Sequence, residues 1–172
     1  IGAKTARAHA AMQRSLAGDR AAKEYLALVY GRVPRGRGTI DVGLRRDPRD
    51  RRRVIAANDG TPSLTRWERL GRVRAEPVGL ALLKCRLVTG RMHQIRVHFK
   101  SIGFPVVGDT TYGHAQTNEA FKKYGLKRQF LHAWQLEFTH PITHKTIHVE
   151  APLPEDLQRV LKGLGSHQFK IP

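Results

Sequence analysis

Apolar residues recur along this chain at two periods, and each change of period marks a change of element. After Thr5, a suitable cap, Ala8, Met12 and Leu16 repeat at helical spacing, which predicts a helix over 5–16 that Gly18 closes. KEYLALVYG follows, and its nearly continuous apolar and aromatic character predicts a buried strand over 23–30. VPRGRG interrupts with turn residues, and TIDVGL reads as a strand beyond it. Two further strands are expected over 61–68 and 78–88, the second dense in Leu and Val. Thr89-Gly90 then switches the period. Met92, Ile95, Phe99 and Ile102 return at helical spacing, predicting a helix over 91–102 that Gly103 closes. Segments 129–139 and 146–151 read as a hairpin around HPITHK, with a short helix starting near Pro154. Strands outnumber helices and few follow a βαβ rhythm, so the expected class is α+β with a mixed, mainly antiparallel sheet flanked by helices and loops. No internal repeat is visible, and residues 1–172 read as a single domain.

Charge changes this ordinary picture. Lys plus Arg number 31 against 14 Asp plus Glu, a net +17, while hydrophobic residues still make up 40%. A folded domain with that surplus, most of it arginine, implies a polyanionic partner, and nucleic acid is the commonest. No apolar run approaches membrane-spanning length, and no basic helix carries an apolar insertion face, so a membrane partner is set aside. The densest charge lies in RRDPRDRRR, residues 45–53, with six arginines and a proline. It is expected to form a solvated loop. Arg49, Arg51, Arg52 and Arg53 are candidate contacts that would hold phosphates without reading bases. The single cysteine, Cys85, sits in an apolar run and reads as a small core residue, in keeping with a reducing, cytoplasmic setting.

Metal chemistry finds little support. His140, His144 and His148 repeat every four residues, but Pro141 and the β-branched Thr146, Ile147 and Val149 argue against a helix there. Cysteine and carboxylate partners are lacking too, and no metal is assigned. The richer segment is LVTGRMHQIRVHFKSIGFPVVGDTTYG, residues 87–113. It reads as a strand, a glycine turn, and a helix whose first turns present Arg91, His93, Gln94 and Arg96 to an anion.

TGRMHQIRVH is similar to the TGRxHQ[IL]RVH motif of the RluA family of pseudouridine synthases. The resemblance continues through GFPVVGDTTYG and RQFLHAWQLEFTHPITHKTIHVEAPLPEDL, and upstream through KEYLALVYG and GTIDVGL, covering residues 3–157. It implies a cofactor-free RNA isomerase that flips a uridine from its stack and converts it to pseudouridine in ribosomal or transfer RNA. An aspartate attacks the nucleotide, the base is released and turned, and its C5 is joined to the sugar. Tyr25 matches the tyrosine that stacks on the flipped base and helps remove the C5 proton, against the plainer reading of a core strand tyrosine. Arg96 matches the arginine that pairs with the catalytic aspartate, against the plainer reading of a phosphate contact. Arg91, His93 and Gln94 would touch the RNA or support the pocket, with Ile95 packed below it, and Asp109 belongs to a structural stretch.

One part of the pattern is missing. The family's aspartate lies in an HRLDxxTSG motif leading into a strand that ends in AKT; here AKT is residues 3–5, and HRLD occurs nowhere. The expectation is therefore a C-terminal part of the catalytic domain, its sheet left with open edges and its nucleophile encoded upstream. A non-catalytic RNA-binding paralogue or fragment is the alternative. A DNA-binding module ranks lower, because no helix-turn-helix, zinc finger or basic zipper pattern is present.

Overall fold

In the computed structural model, residues 1–17, 21–73 and 79–165 are described. Among them, six strands form one antiparallel sheet in the order β2-β5-β6-β1-β7-β8. These are β1 (Ala22–Tyr30), β2 (Arg37–Asp41), β5 (Leu64–Val73), β6 (Leu80–Leu87), β7 (Leu131–Thr139) and β8 (Thr146–Glu150). The central β1 pairs with β6 on one side and β7 on the other. That explains its unbroken apolar run, since both faces are covered. Ala27 and Val29 meet Ile95 and Phe99 of α2 (Gln94–Ser101), while Leu28 and Tyr30 lie with Leu157, Val160 and Leu161 of α4 (Glu155–Gly163). The expected α+β class with a mainly antiparallel sheet is what the chain adopts. β2 and β8 form its two edges.

Several boundaries depart from the sequence expectation, each for a local reason. TIDVGL is not one strand. β2 stops at Asp41, and a short β3 (Leu44–Arg46) pairs instead with β4 (Val54–Ala56) as a separate two-stranded ribbon. The break is where two backbones meet: a Cβ on Gly60 would lie 2.5 Å from the Leu44 nitrogen, so only glycine fits there. The arginine run, expected as a solvated loop, is the tip of this ribbon. The Asp47 amide donates to the Arg53 carbonyl at 3.0 Å, and the Asp47 and Asp50 carboxylates accept the amides of Arg49 and Arg52. α1 (Ala6–Ala17) starts as expected, with the Ala8 amide donating to Thr5 Oγ1 at 3.1 Å, but none of its side chains is fully buried. Its Gly18 terminator lies outside the described residues. The helix α3 (Ala115–Phe121) and the 3-10 turn after it, Lys122–Tyr124, carry too little periodicity to be read from sequence.

The predicted 91–102 helix is shorter at its start. His93 adopts a left-handed backbone (φ 56°), so α2 begins at Gln94. Of the residues that recur at helical spacing, Ile95 and Phe99 are buried while Met92 and Ile102 are exposed. A polar network docks α2 instead. The Gln94 Nε2 donates to the Leu64 carbonyl and to Thr65 Oγ1, both at 3.0 Å. His98, fully buried, contacts Thr65 Oγ1 through Nδ1 at 2.9 Å and the Val42 carbonyl through Nε2 at 3.1 Å. A carbonyl only accepts, so Nε2 carries the proton and Nδ1 accepts from Thr65. Burial holds the ring's pKa below its ordinary value, with the Val42 carbonyl and Asp41 pulling the other way. The unfolded chain thus takes up a proton first as pH falls. The contribution of His98 is fully present above its unfolded pKa of about 6.5 and is lost below it. Urea midpoints measured between pH 7 and 5 are expected to fall with acid, and His98→Ala to flatten that fall.

Candidate functional site

The site is built around the first turns of α2 and the two-stranded ribbon beside it. Arg96 leaves α2 with its guanidinium gripped by Asp109: Nε donates to Oδ2 at 2.7 Å and Nη2 to Oδ1 at 2.8 Å. Asp109 is 0% exposed, and its Oδ1 also accepts the amides of Thr111 and Tyr112, both at 2.9 Å. Burial alone would raise this carboxyl. Arg96 and the two amides overcome it and hold the group below the usual carboxylate range. Arg96 Nη1 has no partner among the described residues. The planar fork therefore has one arm fixed and another free to take a second acid.

Tyr112, 3% exposed, lies beneath this pair. The Arg96 guanidinium carbon sits 4.8 Å from the centre of its ring, with Arg53 at 5.6 Å and the Lys100 ammonium at 5.7 Å. Its hydroxyl accepts the Val54 amide of β4 at 2.9 Å and meets His93 Nδ1 at 2.9 Å. Burial, then the nearby Arg96 charge, hold His93 below its ordinary pKa. Arg53 also donates to the Thr111 carbonyl at 2.7 Å, which fastens the base of the ribbon tip to this loop.

The residues expected from sequence divide accordingly. Arg96, His93 and Arg53 converge on Tyr112, while Arg91 is exposed just ahead of α2. Arg49, Arg51 and Arg52 are exposed at the ribbon tip, Arg52 in a surface ion pair with Asp50 at 3.0 Å. Gln94 requires correction as an RNA contact. It is 2% exposed, its carbonyl accepts from Thr89 Oγ1 and the Arg91 amide, and its amide group donates twice inward, leaving nothing to offer a ligand. Tyr25 stands on β1, half-buried, against the apolar cluster that also holds Ile95. Burial pushes its phenol up, so the hydroxyl keeps its proton at neutral pH. Sequence reasoning missed Tyr112 and the part Asp109 plays as the partner of Arg96. The glycine-bounded GDTTYG segment was the available signal, since a tight loop with a conformationally free glycine on each side often carries function.

Comparison with known proteins bears on this arrangement. The family model for RNA pseudouridylate synthase matches residues 1–101. The chain belongs to the RNA pseudouridylate synthase family. The synthase match takes in β1, the ribbon and α2, and so includes Tyr25, Arg53, His93 and Arg96; Asp109 and Tyr112 lie past its end. The chain is 40% identical to a "Ribosomal large subunit pseudouridine synthase D" from Xanthomonas campestris, covering 94% of this chain and 50% of that protein. It is 38% identical to "Uncharacterized RNA pseudouridine synthase YlyB" of Bacillus subtilis, again over 94% and 50%. The chain thus spans about half the length of the curated relatives it matches. Among solved structures it is similar to "Human RNA Pseudouridylate Synthase Domain Containing 1", with a TM-score of 0.68 at 30% identity, covering 86% of this chain and 59% of that one. "Human RNA Pseudouridylate Synthase Domain Containing 4", at 21% identity and TM-score 0.63, shows the shared fold.

Proposed function

We propose that this chain is the C-terminal part of the catalytic domain of an RNA pseudouridine synthase, an isomerase that needs no cofactor. The observation that carries the reading is the half-occupied fork of Arg96, nearly buried over the Tyr112 ring. Its free Nη1 would hold the attacking aspartate ionised and aimed, with that aspartate supplied by sequence upstream of Ile1. The N1–C1′ bond of the uridine breaks and a C5–C1′ bond forms. C5 gives up its proton while N1 regains one, so the reaction has no net consumption. Tyr25 would stack on the extruded base and receive the C5 proton. His93, Arg91 and the ribbon arginines would hold the phosphates.

Ribosomal RNA is the first substrate to try, since relatives of this chain carry a ribosomal large-subunit name, with transfer RNA second. No helix among the described residues is long and apolar enough to cross a membrane, and the setting is proposed as cytoplasmic. The test uses the full-length protein, incubated with total RNA from cells lacking it, and pseudouridine mapped by chemical probing. A new modified uridine supports the reading. None, together with retained RNA binding, would favour the non-catalytic RNA-binding alternative.

Binding itself should be strongly salt-dependent, because each phosphate contact releases counterions. Replacing Arg49, Arg51 or Arg52 by Ala is expected to lower the slope of log affinity against log salt by about 1 for each residue that meets a phosphate. Filter binding across a salt series measures this, and a slope identical to wild type in all three would exclude the ribbon tip from the interface.

A further inference from the structure

Tyr112 makes more connections than a core tyrosine needs, and each reaches a different part of the site. A hydroxyl has one proton. The Val54 amide donates to the Tyr112 oxygen at 2.9 Å, and the proton of this buried hydroxyl has one acceptor in reach among the described residues, His93 Nδ1, also at 2.9 Å. Nδ1 is thereby an acceptor, and the His93 proton is left on Nε2. The same ring carries the Arg96 guanidinium carbon at 4.8 Å, and that of the ribbon's Arg53 at 5.6 Å. The Tyr112 amide closes the arrangement by donating to Asp109 Oδ1 at 2.9 Å. Few other contacts join the ribbon to this loop: the Arg53 Nη2 donates to the Thr111 carbonyl, and Leu44 and Val54 pack with Val97 and Tyr112 in a small apolar cluster.

We infer that Tyr112 is a positioning residue of the site, whose hydroxyl sets the protonation of His93 and whose ring aligns Arg96 with the docked arginine ribbon. This rests on the reading above that Arg96 and the ribbon serve an RNA-isomerising site. Docking of RNA phosphates on the ribbon tip is then transmitted to the catalytic arginine through one side chain. A ribbon that swings away removes the Val54 amide from the Tyr112 oxygen and Arg53 from its ring at once.

Tyr112→Phe is the discriminating variant, because it keeps the ring and its cation contacts and deletes only the hydroxyl. In the full-length protein, the His93 ring is titrated by NMR. The groups facing it are Tyr112, the cations Arg96 and Arg46, and Asp109. Loss of a donor to Nδ1 removes a preference for the neutral ring, so the His93 midpoint is expected to move up in the variant. Turnover on the modified RNA is expected to fall about tenfold, the scale of a modest misplacement of reacting groups. The apparent KM should rise as the ribbon loosens. A tyrosine that serves only packing would lower the melting temperature and leave the His93 midpoint where it was. An unmoved midpoint overturns the inference, as does unchanged kcat in an active wild-type background. A wild-type protein that modifies no RNA overturns the proposed function instead, and the His93 titration still decides the role of Tyr112. Tyr112→Leu, lacking the ring as well, is expected to lose more turnover than Tyr112→Phe; equal values would remove the ring from the argument.

Discussion

Tyr25→Phe is expected to leave RNA affinity within about twofold of wild type while turnover falls by roughly 10²-fold or more, the usual worth of a positioned acid-base group. The phenylalanine ring keeps the stacking platform and the packing of Tyr25 against the cluster of Ile95, Leu87 and Cys85, so fold and base capture survive. What disappears is the phenol oxygen. Burial has raised the pKa of that phenol, so as a base it works only in its minor ionised form at neutral pH. Wild-type turnover limited by this step therefore climbs as pH rises above neutrality. Single-turnover assays of the full-length protein across a pH series, alongside binding measurements, test both statements. An equal loss of binding and turnover would return Tyr25 to the rank of a core strand tyrosine.

The second large effect is on stability. Asp109→Asn is expected to destabilise the fold by about 3–5 kcal/mol, because it leaves the nearly buried Arg96 guanidinium, 12% exposed, without its counter-charge. For a chain of this size that corresponds to a melting temperature lower by roughly 10 °C. The folded-state pKa of Asp109 is depressed, so its contribution is present above the unfolded value of about 3.9 and is lost as pH falls through the folded one. The gap between wild type and Asp109→Asn should therefore stay constant from neutral pH to about 4 and close in stronger acid. Adding Arg96→Met to Asp109→Asn should recover much of the stability, since no unpaired charge remains and the Asn oxygen still accepts the Thr111 and Tyr112 amides. It should not recover turnover, because Arg96 has gone. A thermal melt of wild type and the two variants, beside their turnover, separates the structural worth of the pair from its catalytic worth.

Much of this was legible in the residues alone. Apolar runs at 23–30 and 78–88 marked strands, and β1 and β6 form there with both faces covered; Thr5 marked a helix start that the Ala8 amide uses. The TGRMHQIRVH segment pointed to α2 and to Arg96, and the charge of +17 to a polyanion. These are local or additive properties: periodicity, capping chemistry, residue type at fixed spacing and net charge survive without knowing what packs where. Tertiary structure decided the rest. Gln94 looked available at a helix start, yet its amide turns inward to Leu64 and Thr65, some thirty residues earlier in the chain. The arginine run read as a solvated loop and its tip is exposed, but only the fold pairs β3 and β4 around it and docks Arg53 on Thr111 and Tyr112. Asp109 and Tyr112 carried no periodic signal, and only folding sets them against Arg96 and His93. Hydrogen bonds and ion pairs between distant segments depend on directions fixed by packing, and a linear pattern holds the residue types but not those directions.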